Sequence, residues 1–233
     1  MAAAVPVLNL FALHERRKAR LDGSPLVPPD LFGRRAFVAG LLLALALFAG
    51  VTSFFLVYSL LAQVGLGMTP LQAGLVGLPW PLGIAVASGA SVELAPRIGR
   101  RLLGLGALLM AAGMGALVLA LRLGGAGVVG WQLLPGLALG RLGMGMVAPT
   151  LTDFVLAGVP QRDAGAASGV VNTAFQVGGA AGVAAVGTLF FALLADGTGF
   201  VAAAERVLWC QVGAFALAFL LVPLLPERPH AHE

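Results

Sequence analysis

Arg141 is the residue of this chain whose position most strongly suggests chemistry. It lies near the middle of an apolar run from Val129 to Thr152, and a central arginine costs roughly 2.5 to 3.5 kcal/mol on membrane-insertion scales. The surrounding leucines and valines recover about as much, so we do not expect Arg141 to face lipid. Two interpretations stay open. The side chain either faces a central cavity and binds an anionic group or an acidic side chain, or it caps helix carbonyls or sits in a hydrated crevice for structural reasons.

A second candidate region is a polar stripe made by Ser168, Asn172 and Gln176, which are spaced four residues apart and so share one face of a helix. Glycine pairs with the spacing that permits close helix contact in membranes accompany the stripe: Gly165 with Gly169, and Gly178 with Gly182. The pattern predicts a helix that borders a cavity and packs tightly on a neighbour. Gln176 is the strongest candidate to face the cavity, and hydrogen bonding between helices is the alternative for the other two.

Two aromatic residues, Phe55 and Tyr58, follow Thr52 and Ser53 in the first long apolar run. A mixed polar and aromatic surface is typical of broad binding sites for small lipophilic compounds. Packing against lipid, or a place in the aromatic belt at the membrane interface, is the alternative for both residues.

Six apolar runs must position these candidates, and each is close to the roughly 20 residues that a helix needs to cross a bilayer. They are Ala36 to Ala62, Gln72 to Val92, Leu102 to Leu121, Val129 to Thr152, Gly165 to Leu194 and Val207 to Leu225. With 59% hydrophobic residues, 10% charged residues and a mean hydropathy of +0.97, the chain is not an ordinary soluble domain. The predicted fold is an all-α membrane protein with six transmembrane helices.

The basic residues predict its orientation. Eleven of the 14 Lys and Arg residues fall on alternate connections: Arg16, Arg17, Lys18, Arg20, Arg34, Arg35, Arg97, Arg100, Arg101, Arg162 and Arg228. By the positive-inside rule, these connections and the C-terminus belong in the cytoplasm. The high pI therefore reflects topology, and the short cluster from Arg16 to Arg20 does not indicate a nucleic-acid partner.

Enzyme chemistry and metal binding are not expected. Cys210 is the single cysteine, and the histidines His14, His230 and His232 lie outside the apolar runs. No nucleophile with a base and no phosphate-binding glycine loop occurs at suitable spacing, so no cofactor is predicted.

The chain divides into three parts. Met1 to Leu13 is apolar but too short to span a bilayer, and it is interpreted as a remnant of a preceding span. Residues 1–35 thus form this remnant and a basic cytoplasmic linker, residues 36–225 the six-helix domain, and residues 226–233 a cytoplasmic tail.

Three strings carry a family resemblance: HERRKARLDGSPLVPPDLFGRRAF from His14, YSLLAQVGLGMTPLQAGLVGLPWPLG from Tyr58, and VPQRDAGAASGVVNTAFQVGGAAGVAAVGT from Val159. Each resembles a segment of the fourteen-span drug:proton antiporters, the EmrB/QacA-type branch of the major facilitator superfamily. Their order matches spans nine to fourteen of that family, with a remnant of span eight. The chain thus resembles the C-terminal half of such a transporter.

This resemblance implies proton-coupled efflux of small lipophilic or amphipathic compounds across a bacterial inner membrane, by alternating access. Because the fold places its substrate path between two six-helix halves, the chain requires a partner: a separately encoded N-terminal half or a second copy of itself. Arg141, Gln176, Asn172, Tyr58 and Phe55 are the expected pathway residues, although Arg141 is not part of the family pattern. The alternative is a non-transporting membrane subunit or remnant that only binds a partner.

The connection GASVELAPRIGRR also resembles a short cytoplasmic loop motif of the superfamily, matched at Gly99, Arg100 and Arg101. The functional interpretation is a conformational latch, in which Glu93 or Asp153 pairs with Arg97 and the following arginines in one state and releases them in the other. Ordinary anchoring of a basic loop at the inner membrane surface is the alternative.

Overall fold

The structure, a computed structural model, describes residues 28–77, 79–157 and 159–225, and every regular element within these ranges is helical. The side chains of residues 79–82 and 126 are not described. The predicted span remnant, most of the basic linker and the C-terminal tail lie outside the described residues.

Seven α-helices follow one another along the described chain. They are α1 (Arg35–Leu60), α2 (Pro70–Gly77), α3 (Pro79–Ile98), α4 (Arg101–Gly124), α5 (Gly130–Leu156), α6 (Ala164–Ala195) and α7 (Phe200–Leu221). A π-helical turn, Leu61–Gly65, extends α1. Short 3-10 turns lie at Pro29–Gly33, Gly125–Gly127, Gln161–Asp163 and Val222–Leu224.

Within the residues that the structure describes, four helical segments are long and apolar enough to cross a bilayer: Arg35–Gly65, Arg101–Gly124, Gln161–Ala195 and Phe200–Leu224. The second predicted span covers parts of α2 and α3, and α5 contains Arg141 and two internal prolines. The structure thus confirms the all-helical prediction over the described ranges, with several candidate membrane spans. The count of six crossings stays a prediction.

The helices pack in an order different from their order in the sequence. α5 has its most extensive contacts with α4 and α3, whereas α1 has its most extensive contacts with α6 and α7, and α4 packs on α7. The resulting order across the bundle is α3, α5, α4, α7, α1, α6. Since α1 and α5 also touch directly, α3 and α6 flank a face to which both of these inner helices contribute.

Glycines allow α1 and α6 to pack with their backbones in close contact. A methyl group at Gly178 would lie 2.6 Å from the carbonyl oxygen of Leu45, and one at Gly182 would overlap the backbone of Ala49. The predicted packing of this glycine pair on a neighbouring helix is therefore confirmed. A methyl group at either member of the other pair, Gly165 or Gly169, would have no described atom of a neighbouring helix within 4 Å.

A similar glycine contact joins α4 to α5. A methyl group at Gly113 would lie 2.7 Å from both the carbonyl oxygen of Gly136 and the amide nitrogen of Gly140. Gly106 and Gly143 repeat this close approach about two turns away. Backbones in such contact gain dispersion energy that larger side chains would prevent.

Polar side chains fasten α4 to α7 at both ends. Arg122 forms an ion pair with Glu205 at one end and lies 5.7 Å from the ring centre of Trp209. At the other end, Arg100 donates hydrogen bonds to the carbonyl oxygens of Pro223 (3.2 Å) and Leu225 (2.7 Å). The carbonyls at the end of a helix lack partners within the helix, and Arg100 supplies donors to two of them.

Candidate functional site

A groove of about 460 Å³ lies between α1 and α6. Its lining combines aromatic rings, two amides and small residues: Phe48, Thr52, Asn172, Phe175, Gln176, Gly179, Ala180 and Val183. The rings of Phe48 and Phe175 stack across it with centres 4.0 Å apart and planes 17° from parallel. The structure therefore brings the predicted residues Asn172 and Gln176 together in one cavity.

The amides of this groove are available for a ligand. Asn172 and Gln176 are both exposed, and neither side chain has a hydrogen bond to any residue that the structure describes. Gly179 lets α1 approach closely beside them, because a methyl group there would lie only 2.7 Å from the hydroxyl oxygen of Thr52. The groove can accept a flat, largely apolar molecule on its rings while its amides donate and accept hydrogen bonds.

Phe55 and Tyr58 differ in their surroundings. Phe55 is 43% exposed, and it follows Phe48 and Thr52 at helical spacing along the same side of α1. Tyr58 is half-buried, and its hydroxyl donates a 3.0 Å hydrogen bond to the carbonyl oxygen of Ala73. Its observed role is to hold the short helix α2 against the end of α1.

Arg141 lies inside the bundle. Only 3% of the residue is exposed, in agreement with the prediction that it does not face lipid. Its aliphatic part packs on Gly83 of α3, where a methyl group would lie 3.0 Å from Cβ and 3.2 Å from Cδ of Arg141. Arg141 thus lies at the contact of α5 with α3, with Gly83 providing the space for its side chain.

The guanidinium of Arg141 has unused donors. Its Nε and Nη2 atoms are buried and have no hydrogen-bond partner among the described residues. These atoms do not cap helix carbonyls, so the interpretations that stay open from the sequence are a hydrated crevice and a site for an anionic group or an acidic side chain. A buried charge without a partner is strongly unfavourable, so an anion or an acidic side chain at this place would stabilise it.

The predicted latch residues are spread over the helix ends. Glu93, Arg97, Arg101 and Asp153 are all exposed. Gly99 has φ +56°, a conformation that favours glycine at the tight turn between α3 and α4. Within the described chain the side-chain ion pairs join Arg122 to Glu205 and Arg162 to Asp163. An ion pair of Glu93 or Asp153 with Arg97 or Arg101 therefore stays a prediction for another conformational state.

One structural feature near Arg141 was not predicted from the sequence. Pro149 has no N–H to donate to the carbonyl oxygen of Gly145, one turn earlier in α5. The hydroxyl of Ser88, from α3, donates to that oxygen instead over 3.2 Å, and the hydroxyl of Ser91, whose shorter hydrogen bond is to the carbonyl oxygen of Ala87 (2.7 Å), lies 3.4 Å from it. The proline inside an apolar run was the available signal, but the two serines that compensate for it are far away in the sequence.

Comparisons with known proteins all lead to the same family of membrane transporters. The sequence profile of the Major Facilitator Superfamily matches residues 1–183. A probable actinorhodin transporter of Streptomyces coelicolor is 39% identical over 83% of this chain, and the puromycin resistance protein pur8 of Streptomyces alboniger is 37% identical over 81%. The quinolone resistance protein NorB of Staphylococcus aureus is 27% identical over 98%. The matched region covers only 34%, 37% and 48% of these three relatives, respectively.

Proposed function

The chain belongs to the Major Facilitator Superfamily, and from that premise we propose that it forms one half of an exporter for small lipophilic or amphipathic compounds. The chain is therefore a multi-pass membrane transport protein and not an enzyme. This follows from its family and from relatives that are named as a transporter and as a resistance protein. The finer proposal is the C-terminal half of a fourteen-span, proton-coupled antiporter. Its six spans cross a bacterial inner membrane and leave the C-terminus in the cytoplasm.

The observation that carries the proposal is the groove between α1 and α6. Free amides such as those of Asn172 and Gln176 are unfavourable against hydrocarbon, so a second half that covers this face explains their exposure. In transporters built from two such halves, the substrate site lies at the interface of the halves near the bilayer midplane. The partner is a separately encoded N-terminal half or a second copy of the chain.

The proposed mechanism is alternating access, in which the two halves rock against each other around the bound compound. Gln176, Asn172 and Phe55 contact the compound, and Tyr58 and Arg141 line the path deeper in the bundle. The latch formed by Glu93 or Asp153 with Arg97 and Arg101 closes the cytoplasmic side in one state. Acidic side chains of the partner half carry the protons that are exchanged.

Dye efflux from proteoliposomes tests this function. Vesicles contain the chain alone, or the chain with the N-terminal half of a relative, and an imposed proton gradient drives export of a fluorescent lipophilic dye. Activity with the added half supports the split transporter, and activity of the chain alone supports a homodimer. No efflux in either preparation overturns the proposal in favour of a non-transporting subunit.

A pair of variants in α6 tests whether the groove is the substrate site. Gln176→Leu removes an amide from the groove and is expected to lower efflux at least fivefold. Thr188→Val changes an exposed residue of the same helix outside the groove and is expected to leave efflux unchanged. Equal efflux by the two variants would show that the groove is not the substrate site.

A further inference from the structure

No described residue that lines the groove between α1 and α6 carries a charge. Its walls consist of aromatic, hydroxyl, amide and small side chains. The helix α6 has no charged residue along its whole length, and α1 has one, Arg35, at its first position. The two helices that form the groove therefore bring no charge to it.

The groove lies midway along both helices. On α6 its lining extends from Asn172 to Val183, and Gln176 and Val183 are each 12 residues, about 18 Å, from the nearer end of the helix. Phe48 is 13 residues after the start of α1 and 12 before its end. In a chain that crosses the membrane, this is the level of the hydrocarbon centre, where a charge without a partner is costly.

The neighbouring helices α5 and α7 do not compensate for this. None of their charged residues is among the described lining of the groove. Arg141 is buried at the contact of α5 with α3, Asp153 lies near the end of α5, and Glu205 is paired with Arg122. An ion in the groove would therefore lack a counter-charge from the part of the chain that the structure describes.

The groove offers neutral hydrogen-bonding groups instead. The amides of Asn172 and Gln176 and the hydroxyl of Thr52 have no hydrogen bond to any described residue, and both amides are exposed. Asn172 and Gln176 are one helical turn apart, which places their Cβ atoms about 5 to 6 Å from each other. Each amide has an acceptor oxygen and two N–H donors. Together they can bind one uncharged group that both donates and accepts, such as a carboxamide.

The rings of Phe48 and Phe175 indicate the shape of the rest of the ligand. They stack with centres 4.0 Å apart, and both side chains are only half-buried. A flat aromatic ring can extend this stack. The volume of about 460 Å³ lies within the range of pockets that bind drug-sized molecules.

We propose that the groove selects uncharged, planar aromatic compounds with a carboxamide-like group and discriminates against cations and anions of the same shape. This inference rests on the proposed export function and assigns a substrate class to it. A neutral polar group exchanges its hydrogen bonds to water for hydrogen bonds to the groove amides, whereas an ion loses hydration without gaining a counter-charge.

Binding to the purified full chain in nanodiscs tests this selectivity without any transport. Four probes share one ring system: 2-naphthamide, 2-naphthoate, 2-naphthylmethylammonium and 2-ethylnaphthalene. Equilibrium dialysis is expected to give roughly tenfold tighter binding of naphthamide than of either ion, because of the cost of burying a charge. Naphthamide should bind roughly fivefold tighter than ethylnaphthalene, which forms no hydrogen bonds. Empty nanodiscs of the same lipid measure the partition of each probe into the bilayer.

A charge placed in the groove should change the ranking. Gln176→Glu supplies a carboxylate, so the ammonium probe is expected to become the tightest ligand. Thr173→Glu is the matched control, because it adds the same charge to an exposed position at similar depth on α6 but outside the groove lining. It should leave the ranking unchanged. Asn172→Leu is expected to reduce the preference for naphthamide over ethylnaphthalene. Thermal unfolding of each variant in detergent verifies that it is folded.

Three results would overturn the proposal: no naphthamide binding above that of empty nanodiscs, an ion bound as tightly as naphthamide by the unmodified chain, or an unchanged ranking in Gln176→Glu. Preferred export of an ion by the assembled transporter would show that the partner half supplies a counter-charge, and it would overturn the substrate class as well. Dye export is measured separately. Its failure with intact naphthamide selectivity removes the export function, whereas loss of the selectivity with intact export removes only the substrate class.

Discussion

Two buried polar sites in this bundle differ in how completely their hydrogen bonds are made. Gln211 of α7 is 0% exposed, and its side-chain amide lies 3.3 Å from the hydroxyl oxygen of Ser53 in α1, which is itself 1% exposed. The Ser53 hydroxyl also donates to the carbonyl oxygen of Ala49, over 2.6 Å. Arg141 is equally buried, but two of its donors have no partner among the described residues.

The difference shows that burial of a polar residue is not by itself a sign of function. The Ser53–Gln211 pair ties two helices together and resembles the interhelical hydrogen bonds that stabilise membrane bundles. An unsatisfied charged group has no such structural explanation, because it makes the described fold less stable than an apolar residue of similar size would. Its retention is best explained by a partner or a ligand.

The same contrast separates the two sides of α6. Gly178 and Gly182 lie against the backbone of α1, whereas Gly165 and Gly169 face open space. The first pair determines how closely two helices pack. The second pair belongs to a surface that no described helix covers.

Replacing Gly182 by valine is expected to have the largest effect, because the added side chain would overlap the backbone of Ala49. We expect a loss of about 3 kcal/mol in unfolding free energy, at the upper end for overpacked sites. Gly169→Val is the control on the open side and should change stability by less than about 0.5 kcal/mol. Denaturant unfolding in detergent measures both, and equal losses would contradict the distinction between the two sides.

Arg141→Leu is expected to separate stability from activity. The variant removes an unpaired buried charge, so its unfolding temperature should be unchanged or higher. Export by the assembled transporter should be abolished, because the path loses its cation. Membrane insertion, unfolding and dye efflux are measured on the same preparation. Unchanged efflux would remove Arg141 from the mechanism.

Replacing the serines at the α3–α5 contact should lower the unfolding free energy by less than replacing Gly182 does. Ser88→Ala with Ser91→Ala leaves the carbonyl oxygen of Gly145 without a donor, which we expect to cost about 1 to 2 kcal/mol in unfolding free energy. Adding Pro149→Ala restores a backbone N–H in α5 and should recover most of this loss. A double-mutant cycle measures the coupling. Independent effects of the serine and proline changes would exclude the compensation that we infer.

Gln211→Leu is expected to have the smallest effect. Interhelical hydrogen bonds in membrane proteins contribute about 0.6 kcal/mol on average, and Ser53 keeps its bond to Ala49 in this variant. Efflux by the assembled transporter should be unchanged. A loss of transport as severe as that of Arg141→Leu would mean that the satisfied site is functional as well, and the comparison of the two sites would fail.

Local properties of the sequence were sufficient to predict several features of the fold and of the candidate site. Each long helix follows from an apolar run, because backbone groups in a bilayer must be satisfied within the segment. The four-residue spacing of Asn172 and Gln176 placed both amides on one face, and the same spacing of Gly178 and Gly182 predicted a close helix contact. The cost of exposing a central arginine to lipid was sufficient to predict that Arg141 is shielded.

Only the tertiary structure decided which helices meet. Ser53 and Gln211 are 158 residues apart, and Arg122 and Glu205 are 83 residues apart, so no local pattern pairs them. Helical periodicity specifies which residues share a face but not which neighbour that face contacts. The unpartnered nitrogens of Arg141 became visible only when the helices were packed together, since the satisfaction of a hydrogen bond depends on atoms from every surrounding helix.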